Sequence, residues 1–177
     1  MYFCNKVDVW GNNLSVIYNK MERKIKNPWL RFTGYNCIGC CPDNPIGLHL
    51  EFFEDGDDIV AHWKPTQNHQ GWINVLHGGV QALMIDEASG WVVARKLSTT
   101  AVTSKMNVQY LKSIYTDDEG LTIRSRISKM MRNVAFIETE IWNGAGELCT
   151  KAELIFFCQN KEKVAQEIGF TGCDLED

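Results

Sequence analysis

Several features are missing from this 177-residue chain. No apolar stretch reaches the roughly 20 residues that a membrane-spanning helix needs. The opening MYFCNKVDVWGNN has no apolar core of signal-peptide length. Both absences predict a cytoplasmic protein with no membrane partner. Positive charge is not in excess: 18 Lys and Arg against 22 Asp and Glu give a formal net charge of −4. That balance gives nucleic acid no electrostatic footing. No internal repeat or low-complexity tract interrupts the chain. The seven cysteines are odd in number and lack the spacing of a disulfide framework. Free thiols in a reducing compartment are expected.

What is present is an ordinary globular composition, 45% hydrophobic and 23% charged, with length enough for one unstapled core. The chain divides into a helical extension over 1–36, a main domain over 37–160, and a tail over 161–177 with a frayed end. In the extension, Leu14, Ile17, Tyr18, Met21 and Ile25 recur at helical spacing, with Asn13 as cap and Asn27-Pro28 as stop. The basic face of Lys20, Arg23, Lys24 and Lys26 reads as solvated surface.

The turn-rich YNCIGCCPDNPIGL leads into two strands, LHLEFFE and DIVAHWK, joined at Asp55-Gly56. A loop, PTQNHQGWINVL, precedes an apolar helix. Beyond it the period becomes two. Val102, Met106, Val108 and Tyr110 share one face, opposite Thr103, Lys105, Asn107 and Gln109. Leu121, Ile123 and Ile127 oppose Thr122, Arg124 and Arg126. Ala135, Ile137, Thr139 and Ile141 oppose Phe136, Glu138, Glu140 and Trp142. Asn143-Gly144-Ala145-Gly146 turns the chain into a last strand. This predicts an α+β domain in which an antiparallel sheet of about six strands curls around one long helix. The first strand after that helix is expected to pair with its copy in a second subunit, removing an exposed edge.

The helix itself, from Val80 on, is apolar on every face. Its first fifteen positions hold only Gln81, Asp86, Glu87 and Ser89 as polar residues. A carboxylate inside such a helix is costly unless paired or functional. Gly78 and Gly79 open the helix, where backbone N–H groups lack partners and the dipole favours negative charge. That suits a carbonyl oxygen turning anionic during acyl transfer. Asp86 lies about two turns on, on the same face. Burial should raise its pKa and poise it as a general base. The spacing equally allows a polar group hydrogen-bonded at a subunit interface. Glu87 projects about 100° away and reads as interface or surface.

HQGWINVLHGGVQALMIDEASGW followed by VTSKMNVQYLKSI resembles the hotdog-fold acyl-CoA thioesterases of the phenylacetate-pathway (PaaI) type. The leading CIGCCPDNPIGLHLEFF is also similar to a segment of such proteins, so the resemblance covers residues 37–158. It implies a hotdog fold, no cofactor, and an acyl-CoA substrate. It implies that Gly78 donates its N–H to the thioester carbonyl, that Asp86 attacks or activates water, and that Thr103 helps place that water. Several relatives carry an asparagine six residues before the HGG histidine, where this chain has Gly71. Support from the loop then falls to His69 or Gln70. His77 and Gly79 shape the helix entry, and Trp72 and Trp91 flank the site, as acyl-pocket walls or as core packing. Arg132, with Lys105, Lys112 and Lys129, is a candidate for the coenzyme A phosphates.

Cys37, Cys40 and Cys41 do not by themselves make a zinc site, since no second pair supplies further ligands and His49 or His62 would have to fold across. No metal is expected, and the thiols read as small buried hydrophobes. The leading function is a homo-oligomeric thioesterase, a dimer with a tetramer as the alternative. A hotdog dehydratase or hydratase using His69, and a non-catalytic acyl-CoA binding protein, are the alternatives.

Overall fold

A computed structural model describes residues 22–176. A seven-stranded antiparallel sheet runs in the order β1-β2-β3-β7-β8-β9-β6. Its strands are β1 (Arg23–Lys24), β2 (Phe52–Asp55), β3 (Asp58–Trp63), β6 (Ala101–Tyr110), β7 (Leu121–Met131), β8 (Val134–Trp142) and β9 (Leu148–Cys158). A small hairpin, β4 (Gln70–Trp72) with β5 (Val75–Leu76), sits in the loop before the long helix α1 (Gly78–Leu97). A second helix, α2 (Lys161–Ile168), follows β9. The order strand-strand-helix-strand-strand-strand-strand is as the periodicities predict, with β1 and the small hairpin added.

The alternation in β8 does what its pattern requires. Ala135, Ile137, Thr139 and Ile141 are buried, while Glu138 is exposed. These side chains meet Met84, Ile85, Ala88 and Val92 of α1 in one core. The polar residues of α1 each have a partner. Gln81 Oε1 accepts from Thr150 Oγ1 at 2.5 Å, and Ser89 Oγ meets Thr139 Oγ1 at 2.8 Å, which in turn meets Ser125 Oγ at 2.7 Å. Buried hydroxyls hydrogen-bonded in this way avoid the cost of desolvation without a partner. The helix ends at Ser98 in the left-handed region, φ 48°, and Arg95 and Lys96 of its last turn grip Glu54.

Three expectations need correction. The helical spacing through Ile25 fails at that end, because Arg23–Lys24 pairs with β2 and Ile25 bridges to Leu175. The rest of that spacing, from Asn13 to Met21, lies outside the described residues. The strand expected from Leu48 begins at Phe52. Leu48 and Leu50 instead donate to the carbonyls of Ile38 and Gly39, so the turn-rich segment takes their hydrogen bonds. The described tail is not frayed: Phe170 and Cys173 are buried, Phe170 stacks on Trp29 at 4.6 Å, and Lys26 N–H donates to Asp174 at 2.9 Å.

Candidate active site

The site begins at the start of α1. His77 caps the helix, its Nδ1 accepting from Gly79 N–H at 2.8 Å, while the His77 carbonyl accepts from Val80 and Gln81. Gly79 N–H is therefore occupied. No acceptor among the described residues takes Gly78 N–H. Tyr110, at the end of β6, lays its ring over Gly78 and donates its hydroxyl to the Gly78 carbonyl at 2.9 Å. A Cβ on Gly78 would stand 3.2 Å from that ring. Gly71 is equally constrained: a Cβ there would meet His77 Cδ2 at 2.8 Å. The glycine that departs from the family's asparagine thus makes room for the capping histidine.

Asp86 lies two turns along α1, and Thr103 Oγ1 donates to its Oδ1 at 2.7 Å. Strict alternation puts Thr103 on the far face of β6, with Val102 facing the helix. The structure reverses this. The register shifts between Thr103 and Lys105, so Thr103 pairs with Phe156 and Lys105 with Ile155. The extra residue, Ser104, is a β-bulge that changes which side chains face inward. Thr103 joins Met106, Val108 and Tyr110 on the helix side, and Val102 pairs with the exposed Phe157.

Asp86 is not enclosed within one chain as the apolar helix suggested. It is half-buried and lines a cleft of about 250 Å³ with Trp29, Gly90, Trp91, Thr103 and Phe156. A larger groove of about 480 Å³ between His62, Trp63 and Leu121 contains none of the predicted residues and is an open surface feature. Trp91 is buried and stacked on Phe52 at 4.6 Å, both core and cleft wall. Trp72 does not line the cleft; it is 76% exposed on the small hairpin. His69 is held in its loop by Thr66 Oγ1 at 3.0 Å and against Trp63; burial lowers its pKa. Gln70 Oε1 accepts from Asn74 N–H. Arg132 occupies the β7–β8 turn with φ 54°, and the register brings that turn to the same end of the sheet as Thr103. Lys112 pairs with Glu147 at 2.6 Å, and Lys129 lies over Phe136.

Glu87 also lines the Asp86 cleft. It is half-buried, accepting from Trp91 Nε1 at 3.1 Å and lying 3.3 Å from Cys37 Sγ. Sequence reasoning missed this neighbour because nothing in local spacing links positions so far apart.

One helix presses on an antiparallel sheet, HGG stands at the helix entry, and an acid–threonine pair sits at the sheet edge. The sequence model described as the Thioesterase superfamily matches residues 73–150. The fold is the hotdog fold. A hypothetical thioesterase from Streptococcus pneumoniae TIGR4, solved with coenzyme A, is 26% identical, with TM-score 0.55, covering 59% of this chain and 82% of that one. The protein smu.793 from Streptococcus mutans UA159, bound to acetyl CoA, is 18% identical with TM-score 0.60, over 74% of this chain and 98% of that one. PaaI from the phenylacetic acid degradation operon of E. coli is 17% identical with TM-score 0.58, over 64% and 81%. No curated protein matches the chain. The hotdog domain thus has the architecture and the HGG helix entry that the resemblance implied. No helix among its described residues is long and apolar enough to cross a membrane.

Proposed function

We propose that this protein hydrolyses an acyl-CoA thioester to a free acid and coenzyme A, as a homodimer whose two sites each use both chains. The observation that carries the reading is the Asp86–Thr103 hydrogen bond at 2.7 Å in a cleft that also presents Trp29, Trp91 and Phe156. The thioesterase-superfamily match and the coenzyme A-bound neighbours support the substrate class. The pneumococcal thioesterase has also been solved with an aspartate and a threonine each changed to alanine.

Gly78 and Asp86 share a face but stand eight residues apart, about 12 Å along the axis at 1.5 Å per residue. One carbonyl cannot touch both groups of the same helix. The edge strand resolves this. Thr103, near one end of β6, holds Asp86, and Tyr110, at the other end, holds Gly78. Antiparallel pairing of β6 with its copy, about a two-fold near Met106, sets the Thr103 end of one strand against the Tyr110 end of the other. Asp86 then faces the partner's Gly78. Exposed Val102, Tyr110 and Leu111 mark this edge as one to be covered.

In the reaction, Gly78 N–H donates to the developing oxyanion. Asp86 takes a proton from a water while Thr103 holds the other carboxylate oxygen. The water oxygen bonds to the carbonyl carbon, the C–S bond breaks, and the proton passes to the departing thiolate. Direct attack by Asp86 would give a mixed anhydride that water then opens. A hydratase would need a histidine free at the acid, whereas His69 is held by Thr66 and Trp63.

A thiol-release assay across short, long and aromatic acyl-CoAs tests the reading. Turnover is expected for at least one class and should disappear in Asp86→Asn. Saturable binding with no thiol release by the parent would overturn it.

A further inference from the structure

We propose that Cys37, Cys40 and Glu87 form a binding site for a thiophilic divalent cation of the zinc type, joining the turn-rich segment to α1. The three donor atoms lie within 4.8 Å of one another. Two sulfurs on a tetrahedral zinc at about 2.3 Å each stand roughly 3.8 Å apart, so these donors are already near ligand spacing. The local sequence offers no further ligand, and His49 or His62 would have to fold across to supply one. Neither is there: His49 Nε2 contacts the Asn44 carbonyl, and His62 meets Glu22 and Thr122. The third donor comes instead from the helix, one residue beyond Asp86.

The packing is built around this meeting. Gly39 N–H donates to Cys37 Sγ at 3.3 Å, an interaction that favours a thiolate. A Cβ on Gly39 would stand 2.5 Å from the Glu87 carboxyl, so a larger residue there would push that carboxylate off the two sulfurs. Cys37 Sγ is 3.3 Å from Glu87 Oε2, and Trp91 Nε1 fixes the other oxygen. Cys40 Sγ is oriented by Tyr35 Oη at 2.7 Å. Cys41 turns away to the Tyr35 carbonyl. Among the described residues no Lys, Arg or His pairs with Glu87. A half-buried carboxylate against two thiols with no cation is a place where a doubly charged ion is strongly favoured.

Loading releases the protons that the two thiols carry: a fully protonated pair plus Zn²⁺ gives a zinc dithiolate and two H⁺. Glu87 is the third ligand and water the fourth, the open arrangement of a three-ligand site.

The test is titration of reduced, EDTA-stripped protein with Co²⁺. One equivalent should bind, with sulfur-to-metal charge-transfer absorption that Zn²⁺ abolishes. Cys37→Ser and Cys40→Ser should lose the band, and Glu87→Gln should weaken binding by at least ~10-fold, as even outer-shell changes do. Cys41→Ser and Cys173→Ser should keep it. A band that survives Cys37→Ser or Cys40→Ser, or unchanged affinity in Glu87→Gln, would overturn the assignment. Because Cys40 is buried, the parent protein supplies a second measurement. Zn²⁺ should raise its melting temperature and EDTA should reverse the rise; no shift also overturns the site.

Discussion

Thr103 Oγ1 reaches Asp86 Oδ1 across 2.7 Å only because Ser104 bulges out of β6 and turns Thr103 toward the helix. The bond takes one carboxylate oxygen and leaves the other for a water. Asp86→Asn keeps the size and much of the hydrogen bonding but removes the base. It should fold normally and lose ~10²–10⁴ in kcat. Thr103→Ala removes one hydrogen bond to a charged group, about 1.5 kcal/mol or roughly tenfold in rate. Steady-state thiol release with circular dichroism on each variant checks both. Parental rates in folded Asp86→Asn would reduce Asp86 to an interface group.

Gly90 and Asp86 lie four residues apart on α1 and line the same cleft, and no atom stands within 4 Å of a Cβ built on Gly90. Gly90→Leu would fill that space. It should leave stability unchanged or better, since glycine within a helix costs about 1 kcal/mol. Activity toward long acyl-CoAs should fall at least roughly tenfold relative to acetyl-CoA, as lost pocket volume discriminates by about 1–3 kcal/mol. An equal loss for every chain length would mean that the cleft does not hold the acyl group.

How much of this was legible beforehand follows from where the signal is local. The period of two in β8 and the apolar run of α1 are written into neighbouring residues, so sheet, helix and order could be read directly. HGG and Asp86 were legible because both sit on one helix. The bulge at Ser104 was not, because serine carries no mark of it and strict alternation assigned Thr103 to the wrong face. Only family resemblance placed Thr103 at the site. Phe170 against Trp29 and Glu87 against Cys37 are contacts between segments far apart in sequence. They arise from tertiary packing, which no window of spacing contains.

Glu54 joins the sheet to the end of α1. Arg95 binds it through two nitrogens at 2.8 and 2.9 Å, and Lys96 at 2.8 Å. The Arg95 hydrogen bonds and the Lys96 contact hold its pKa below the ordinary 4.5. A lowered carboxylate pKa contributes stability above the unfolded value, and the contribution disappears as pH falls through the folded one. Glu54→Gln should thus cost about 1 kcal/mol at neutral pH, these side chains being partly solvated. The difference should begin to shrink as pH drops below the unfolded value near 4.5 and close once it passes the lower folded one. Urea unfolding at pH 7 and at pH 3 measures it; a gap as large at pH 3 would mean that lost packing, not charge, is responsible.

The shared-site dimer makes the sharpest demand. Gly78 is the first residue of α1, where proline is tolerated because that N–H has no helical partner. Gly78→Pro therefore removes the proposed oxyanion donor while leaving the helix start intact, with the Tyr110 ring yielding slightly. Alone, it should be nearly inactive, as Asp86→Asn should be. Mixed after unfolding and refolding, the two variants pair at random and half the dimers are hybrids. If each site takes Gly78 from one chain and Asp86 from the other, every hybrid has one site with both defects and one with neither. Activity should return to roughly a quarter of the parent's. If each site drew both groups from one chain, every site in the mixture would carry a defect and no activity would return. Recovery near zero, with hybrids confirmed by native mass spectrometry, would remove the two-fold arrangement and leave the 12 Å gap unbridged.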